Sequence, residues 1–137
     1  MYLKLSPKLL IRDLIMANTY SQVYLHFIFT VKGKRNLINK RYNDTLQKYI
    51  TGIMQKRTQK MLAINNMPDH MHILIGYNIN INIPELMRDT KALSSKFIND
   101  RNWIRGRFEW QNGYGVFSYS RSQIDHVIKY ITNQQIH

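Results

Sequence analysis

The sequence contains no cysteine. That excludes a disulfide framework and any thiolate metal site, and it fits a reducing, cytoplasmic setting. Acidic residues are scarce: Asp and Glu number 8 against 20 Lys and Arg, for a net charge of +12. So large an excess in a short chain points to a polyanionic partner, most often nucleic acid. Long apolar runs are missing too, and no stretch approaches the roughly 20 residues that a membrane span needs. Residues 1–15, MYLKLSPKLLIRDLI, are apolar but broken by Lys4, Lys8, Arg12 and Asp13. They lack the core and cleavage site of a signal peptide. We read them as an N-terminal extension preceding one domain at residues 16–137. Repeats and low-complexity linkers are also lacking. At 137 residues the chain is long enough to bury a core without staples.

What is present alternates between strand and helix signals. Residues 22–31, QVYLHFIFTV, are rich in β-branched and aromatic types. The two-residue period puts Val23, Leu25, Phe27, Phe29 and Val31 on one face. The other face carries Gln22, Tyr24, His26, Ile28 and Thr30 and is more polar. Residues 40–57 read as an amphipathic helix on Tyr42, Leu46, Tyr49, Ile50, Ile53 and Met54. Residues 60–65 and 70–77 read as strands of a hairpin, with a turn over 66–69 containing Pro68. A second helix starts near Pro84 and runs to about Ile98, its inner face Leu86, Met87, Thr90, Leu93, Ser94 and Phe97. Residues 116–120 read as a strand and 122–135 as a last helix, with Ser122 and Asp125 as a capping box. The order β-α-β-β-α-β-α predicts an α+β fold. Its first six elements match the ferredoxin-like split βαβ arrangement, an antiparallel sheet with helices on one face. The seventh is an added C-terminal helix.

The run 67-MPDHMHILIG-76 carries two histidines one residue apart. On a strand His70 and His72 share a face with Leu74, while Met71, Ile73 and Ile75 face the other way. Two imidazoles so spaced can bind one divalent ion. Taken alone, the pair favours a plainer reading, two hydrogen-bonded histidines at a strand end. The last helix adds to it. Tyr130 and Gln134 lie one turn apart on a side turned roughly 100–160° away from Ile124, Ile128 and Ile131 of the apolar stripe, which also includes Val127. Tyr130 is thus not placed as a core residue of its own helix.

Together, His70-Met71-His72 and Tyr-x-x-x-Gln at 130-YITNQ-134 resemble the single-tyrosine HUH transposases of the insertion sequence 200/605 group. The resemblance extends through 17-ANTYSQVYLHFIFTVKGK-34, 91-KALSSKFIN-99 and 110-WQNGYGVFSYS-120. It implies that His70, His72 and Gln134 bind a divalent metal, Mg2+ or Mn2+. Two neutral imidazoles and an amide oxygen would leave the ion its full charge for a DNA phosphate. It implies that Tyr130 is the nucleophile, cutting single-stranded DNA through a 5′-phosphotyrosine link and leaving a free 3′-hydroxyl. It also implies a homodimer that recognises hairpins at the element ends and works in the cytoplasm on nucleoid DNA. Lys32, Lys34 and Arg35 after the first strand, with Arg88, Lys91 and Lys96 on the second helix, are candidate DNA contacts. Relatives continue with a basic tail, whereas this sequence stops at His137. Three alternatives follow: a non-catalytic nucleic-acid-binding module, a domesticated nuclease, and an inactive, truncated relative.

Overall fold

The computed structural model describes residues 21–133. The expected N-terminal extension at 1–15 and Gln134 lie outside them. The elements are β1 (Tyr24–Thr30), α1 (Asn43–Lys56), β2 (Lys60–Met67), β3 (His70–Gly76), α2 (Ile83–Asp100), β4 (Gly115–Tyr119) and α3 (Ile124–Thr132). The four strands form one antiparallel sheet in the order β2-β3-β1-β4. This is the ferredoxin-like arrangement expected from the sequence, with a third helix added.

The alternation in β1 explains where the core sits. Leu25, Phe27 and Phe29 pair across the ladder with Ile75, Ile73 and Met71 of β3. All six are buried on one face, under Leu46, Ile50 and Met54 of α1 and Leu86, Met87 and Ile98 of α2. The small polar residues on α2 are satisfied locally: Thr90 and Ser94 donate to carbonyls one turn back, and Trp110 Nε1 donates to Ser94 Oγ at 2.9 Å. A smaller core covers the opposite face. There Ile124, Val127 and Ile131 of α3 pack on Ala63 and Leu74. The sheet therefore has helices on both faces, α1 and α2 on one and α3 on the other.

Three local details differ from the sequence expectation. The helix expected from residue 40 begins with a 3-10 turn, Lys40–Tyr42, capped by the Asn39 side chain, and becomes α-helical at Asn43. The expected four-residue turn at 66–69 is shorter. β2 runs through Met67, which pairs with His70 and leaves Pro68 and Asp69 as the turn. Asn66 can stay in the strand because its buried amide bonds to Gln47 and Asn43. The capping box is formed by Ser120 and Gln123, not by Ser122 and Asp125. The chain enters α3 through a 3-10 turn, Arg121–Gln123, so the cap falls two residues earlier.

One irregularity sets the face on which the site forms. The β2–β3 register shifts between Met61 and Ala63, leaving Leu62 as an extra residue. Met61 packs on the main core, whereas Ala63 belongs to the smaller one. The bulge reverses the facing of every later β2 residue. Asn65 therefore lies on the histidine face, directly opposite His72.

Candidate active site

β3 begins at His70, so both histidines project from its first turn of pleat onto the face covered by α3. The ring centroids of His70 and His72 are 4.9 Å apart and nearly perpendicular. His70 is half-buried, and its Nδ1 lies 2.7 Å from Asp69 Oδ1. A carboxylate accepts there from Nδ1–H, which leaves Nε2 with its lone pair. His72 is only 4 % exposed. Its Nδ1 lies 2.9 Å from Nε2 of His26 on β1, itself 2 % exposed.

Among the described residues, two buried side-chain atoms lack a hydrogen-bond partner, His72 Nε2 and His26 Nδ1. Unmet imidazole nitrogens are uncommon in a protein interior and mark a place that a ligand can complete. Burial, followed by the neighbouring His26 and His70, pushes the His72 pKa down to about 4. Burial also lowers that of His26. At neutral pH His72 is an uncharged base, the form in which histidine binds a cation. Among the described residues no third histidine or carboxylate completes a metal cluster. A two-imidazole site with oriented rings still fits a divalent cation if a further ligand joins it, and Gln134 lies beyond the described residues.

Tyr130 lies on α3 with its ring at right angles to that of His72, the centroids 6.3 Å apart and the planes at 89°. It is 56 % exposed, large for an aromatic residue beside a sheet. Its helix is held by the buried stripe Ile124, Val127 and Ile131 and by a polar tie. Asn65 Nδ2 donates to the carbonyl of Ile131 at 2.9 Å, with that of Thr132 at 3.5 Å. The structure thus brings His70, His72 and Tyr130 together within one chain.

The basic residues divide into two groups. Lys32, Lys34 and Arg35 lie in the connection after β1, at the same end of the sheet as His70. Val31 N–H donates to Asp69 O at 2.8 Å and Ile38 N–H to Pro68 O at 3.0 Å, so this connection runs along the hairpin turn. Lys32 and Arg35 line a hollow with Arg107 and Glu109, and Lys32 pairs with Glu109 at 3.1 Å. Arg88, Lys91 and Lys96 lie on α2, on the opposite side of the sheet from the histidines. Lys91 donates to the carbonyls of Gln111 and Gly113 at 2.6 and 2.8 Å, and burial lowers its pKa. Lys96 pairs with Asp100 at 2.5 Å and Arg88 with Asp89 at 3.4 Å.

Residues 19–134 match the protein family described as "Transposase IS200 like". The chain belongs to the IS200-like transposases. The match spans the two histidines, Tyr130 and Gln134. A curated relative, the ISDra2 transposase TnpA of Deinococcus radiodurans, is 22 % identical over 120 residues, covering 82 % of this chain and 84 % of that protein. A crystal structure of a Deinococcus radiodurans R1 protein assigned as a transposase superposes with a TM-score of 0.69 at 22 % identity, covering 86 % and 95 % of the two chains. A REP-associated tyrosine transposase bound to a REP hairpin gives 0.63 at 16 %, covering 88 % of this chain and 71 % of that one. Both superpositions support the fold described above. Among the described residues no helix is long and apolar enough to cross a membrane.

Sequence reasoning did not assign a role to His26, Asn65 or Asp69. The polar side of β1 already displayed His26, but its partner depends on the β1–β3 register. Asn65 reaches the site only because of the β2 bulge. Asp69 adjoins His70, and the tight turn aims its carboxylate at the ring.

Proposed function

We propose that this IS200-like transposase cleaves and rejoins single-stranded DNA with Tyr130 as nucleophile. The carrying observation is the Tyr130 ring at right angles to that of His72, 6.3 Å away, where the buried His72 Nε2 has no hydrogen-bond partner among the described residues. In the reaction Tyr130 Oη attacks a backbone phosphorus atom as its proton leaves. A phosphorus–oxygen bond forms to the tyrosine, the bond to the sugar 3′-oxygen breaks, and a 3′-hydroxyl departs. The 5′-phosphotyrosine conserves the energy of the broken ester, so a later 3′-hydroxyl can reverse the step and join strands.

His70, His72 and Gln134 are the residues that would hold Mg2+ or Mn2+, which supplies Lewis-acid stabilisation of charge on the phosphate. Asp69 orients His70. The helix α3 delivers Tyr130, and Asn65 anchors its last turn. Lys32, Lys34 and Arg35 extend the site along the hairpin turn as contacts for the DNA backbone. Arg88, Lys91 and Lys96, on the far face, would serve a hairpin or strand passing around the protein. That a fold relative is described as bound to a REP hairpin supports hairpin DNA as the partner. The resemblance to single-tyrosine transposases supports a homodimer as the working form.

The test is incubation with a labelled single-stranded hairpin substrate and Mn2+, followed by a denaturing gel. A covalent protein–DNA adduct on the 5′ end is expected, and chelation should abolish it. Tyr130→Phe should leave no adduct while retaining DNA binding. An adduct formed by Tyr130→Phe would transfer the nucleophile role elsewhere.

A further inference from the structure

We infer that His26 is a positioning residue for His72: it accepts a hydrogen bond from His72 Nδ1–H and so fixes the tautomer whose Nε2 is bare. The inference rests on the reading of His72 as a cation ligand. The two rings meet Nε2 to Nδ1 at 2.9 Å, and both are almost wholly buried. A neutral imidazole has one N–H and one lone pair. One ring must therefore donate and the other accept.

Two arrangements satisfy that rule. If His26 donates from Nε2, His72 keeps its proton on Nε2 and has no lone pair there to offer. If His72 donates from Nδ1, its Nε2 is bare and His26 holds its proton on Nδ1. Both arrangements leave the same two atoms without protein partners, His26 Nδ1 and His72 Nε2. Hydrogen bonding alone therefore separates them little. Cation binding does separate them, because only the second arrangement gives His72 Nε2 a lone pair to share. His26 then does for His72 what Asp69 does for His70, orienting the ring through the nitrogen that does not ligate.

The difference in partner suits the difference in burial. His70 lies at the turn, where its Asp69 partner is 36 % exposed. His72 lies deeper, and the Phe117 and Tyr119 rings stand 6.3 and 6.1 Å from His26. A carboxylate at the position of His26 would have to be stripped of its water, which strongly disfavours a charged group there. A neutral imidazole orients His72 without that cost. It also leaves the positive charge of the bound cation undiminished.

Mn2+ affinity of the full chain, read by electron paramagnetic resonance or calorimetry, tests this independently of DNA cleavage. His72→Ala should abolish binding. His26→Leu, checked for folding by circular dichroism, should weaken binding about 10–100-fold, the usual effect of losing such a partner. His26→Gln, which returns an acceptor close to the Nε2 position, should recover most of that loss. A purely structural role would lower the melting temperature of His26→Leu and leave its Mn2+ affinity unchanged, overturning the inference. In the wild-type protein loaded with Mg2+, nitrogen NMR of labelled histidines should show His72 protonated on Nδ1 and His26 unprotonated on Nε2. A proton on His72 Nε2 in that state also overturns it. If His72→Ala binds Mn2+ as wild type does, the ligand reading itself fails. Intact wild-type binding that is lost in His72→Ala but kept in His26→Leu removes only the role of His26.

Discussion

His70 and His72 are one residue apart in sequence, yet they meet different physical problems. His70 is at the lip of the sheet and is held by a carboxylate from its own turn. His72 is inside, where charge is disfavoured, and its partner comes from another strand. This has a consequence for stability. With a pKa of about 4 in the folded chain against 6.5 for a free imidazole, His72 takes up a proton more readily when unfolded. The stabilising contribution of its neutral form is therefore complete above about pH 6.5 and is lost as pH falls toward about 4. His26, lowered by burial, acts in the same direction. We expect the melting temperature of metal-free protein to drop through that window, and His72→Gln to flatten the drop. Calorimetry across a pH series would check it; an equally steep fall in His72→Gln would assign the loss to other groups.

At the scale of elements, the bulge in β2 and the tie from Asn65 decide where α3 sits. The helix has one buried stripe of three residues, Ile124, Val127 and Ile131, over nine helical positions. So short a helix depends on tertiary contacts for its order. Asn65 satisfies carbonyls at its last turn and stands opposite His72, so the helix end and the histidine share one support. Asn65→Ala should cost about 1–3 kcal/mol, because it removes the buried donor to Ile131. Urea unfolding would give the loss. Faster amide exchange confined to residues 124–132, together with slower adduct formation, would locate it in the helix. Exchange unchanged in that segment would show that the apolar stripe alone suffices.

For the whole molecule, the +12 charge is a property of the chain, but its use depends on where the folded protein displays it. Lys32, Lys34 and Arg35 border the histidine end of the sheet. Lys96 lies on α2, on the other side; it is ion-paired with Asp100 as Lys32 is with Glu109, so location is what separates the two groups. A single strand entering the proposed site meets the first group. Replacing Lys32 and Arg35 by Gln should lower the slope of log affinity against log salt by about 1.4, from the roughly 0.7 expected per phosphate contact on single strands. Lys96→Gln should change that slope less. Fluorescence anisotropy with the hairpin substrate across a salt series would compare them. Equal losses would mean that the strand also tracks along α2.

Much of the fold was legible in sequence because burial follows periodicity. The alternation in β1 and β3 and the helical stripes of α1 and α2 are local patterns, and the folded chain buries most of the residues they indicate, leaving Tyr42, Tyr49, Leu93 and Phe97 half-buried at the margins. The two histidines and Tyr130 could be singled out for the same reason: each departs from the apolar pattern of its own element. Tertiary structure decided the rest. No local pattern registers His26 against His72, since that pairing joins residues 46 apart. Nor does any local signal show that one extra residue at Leu62 turns Asn65 toward the helix that carries Tyr130. Sequence by itself determined which faces are apolar and which side chains stand apart from them. Only the pairing of strands determined which of those side chains meet, because hydrogen-bond register and a bulge act between segments that are distant in the chain.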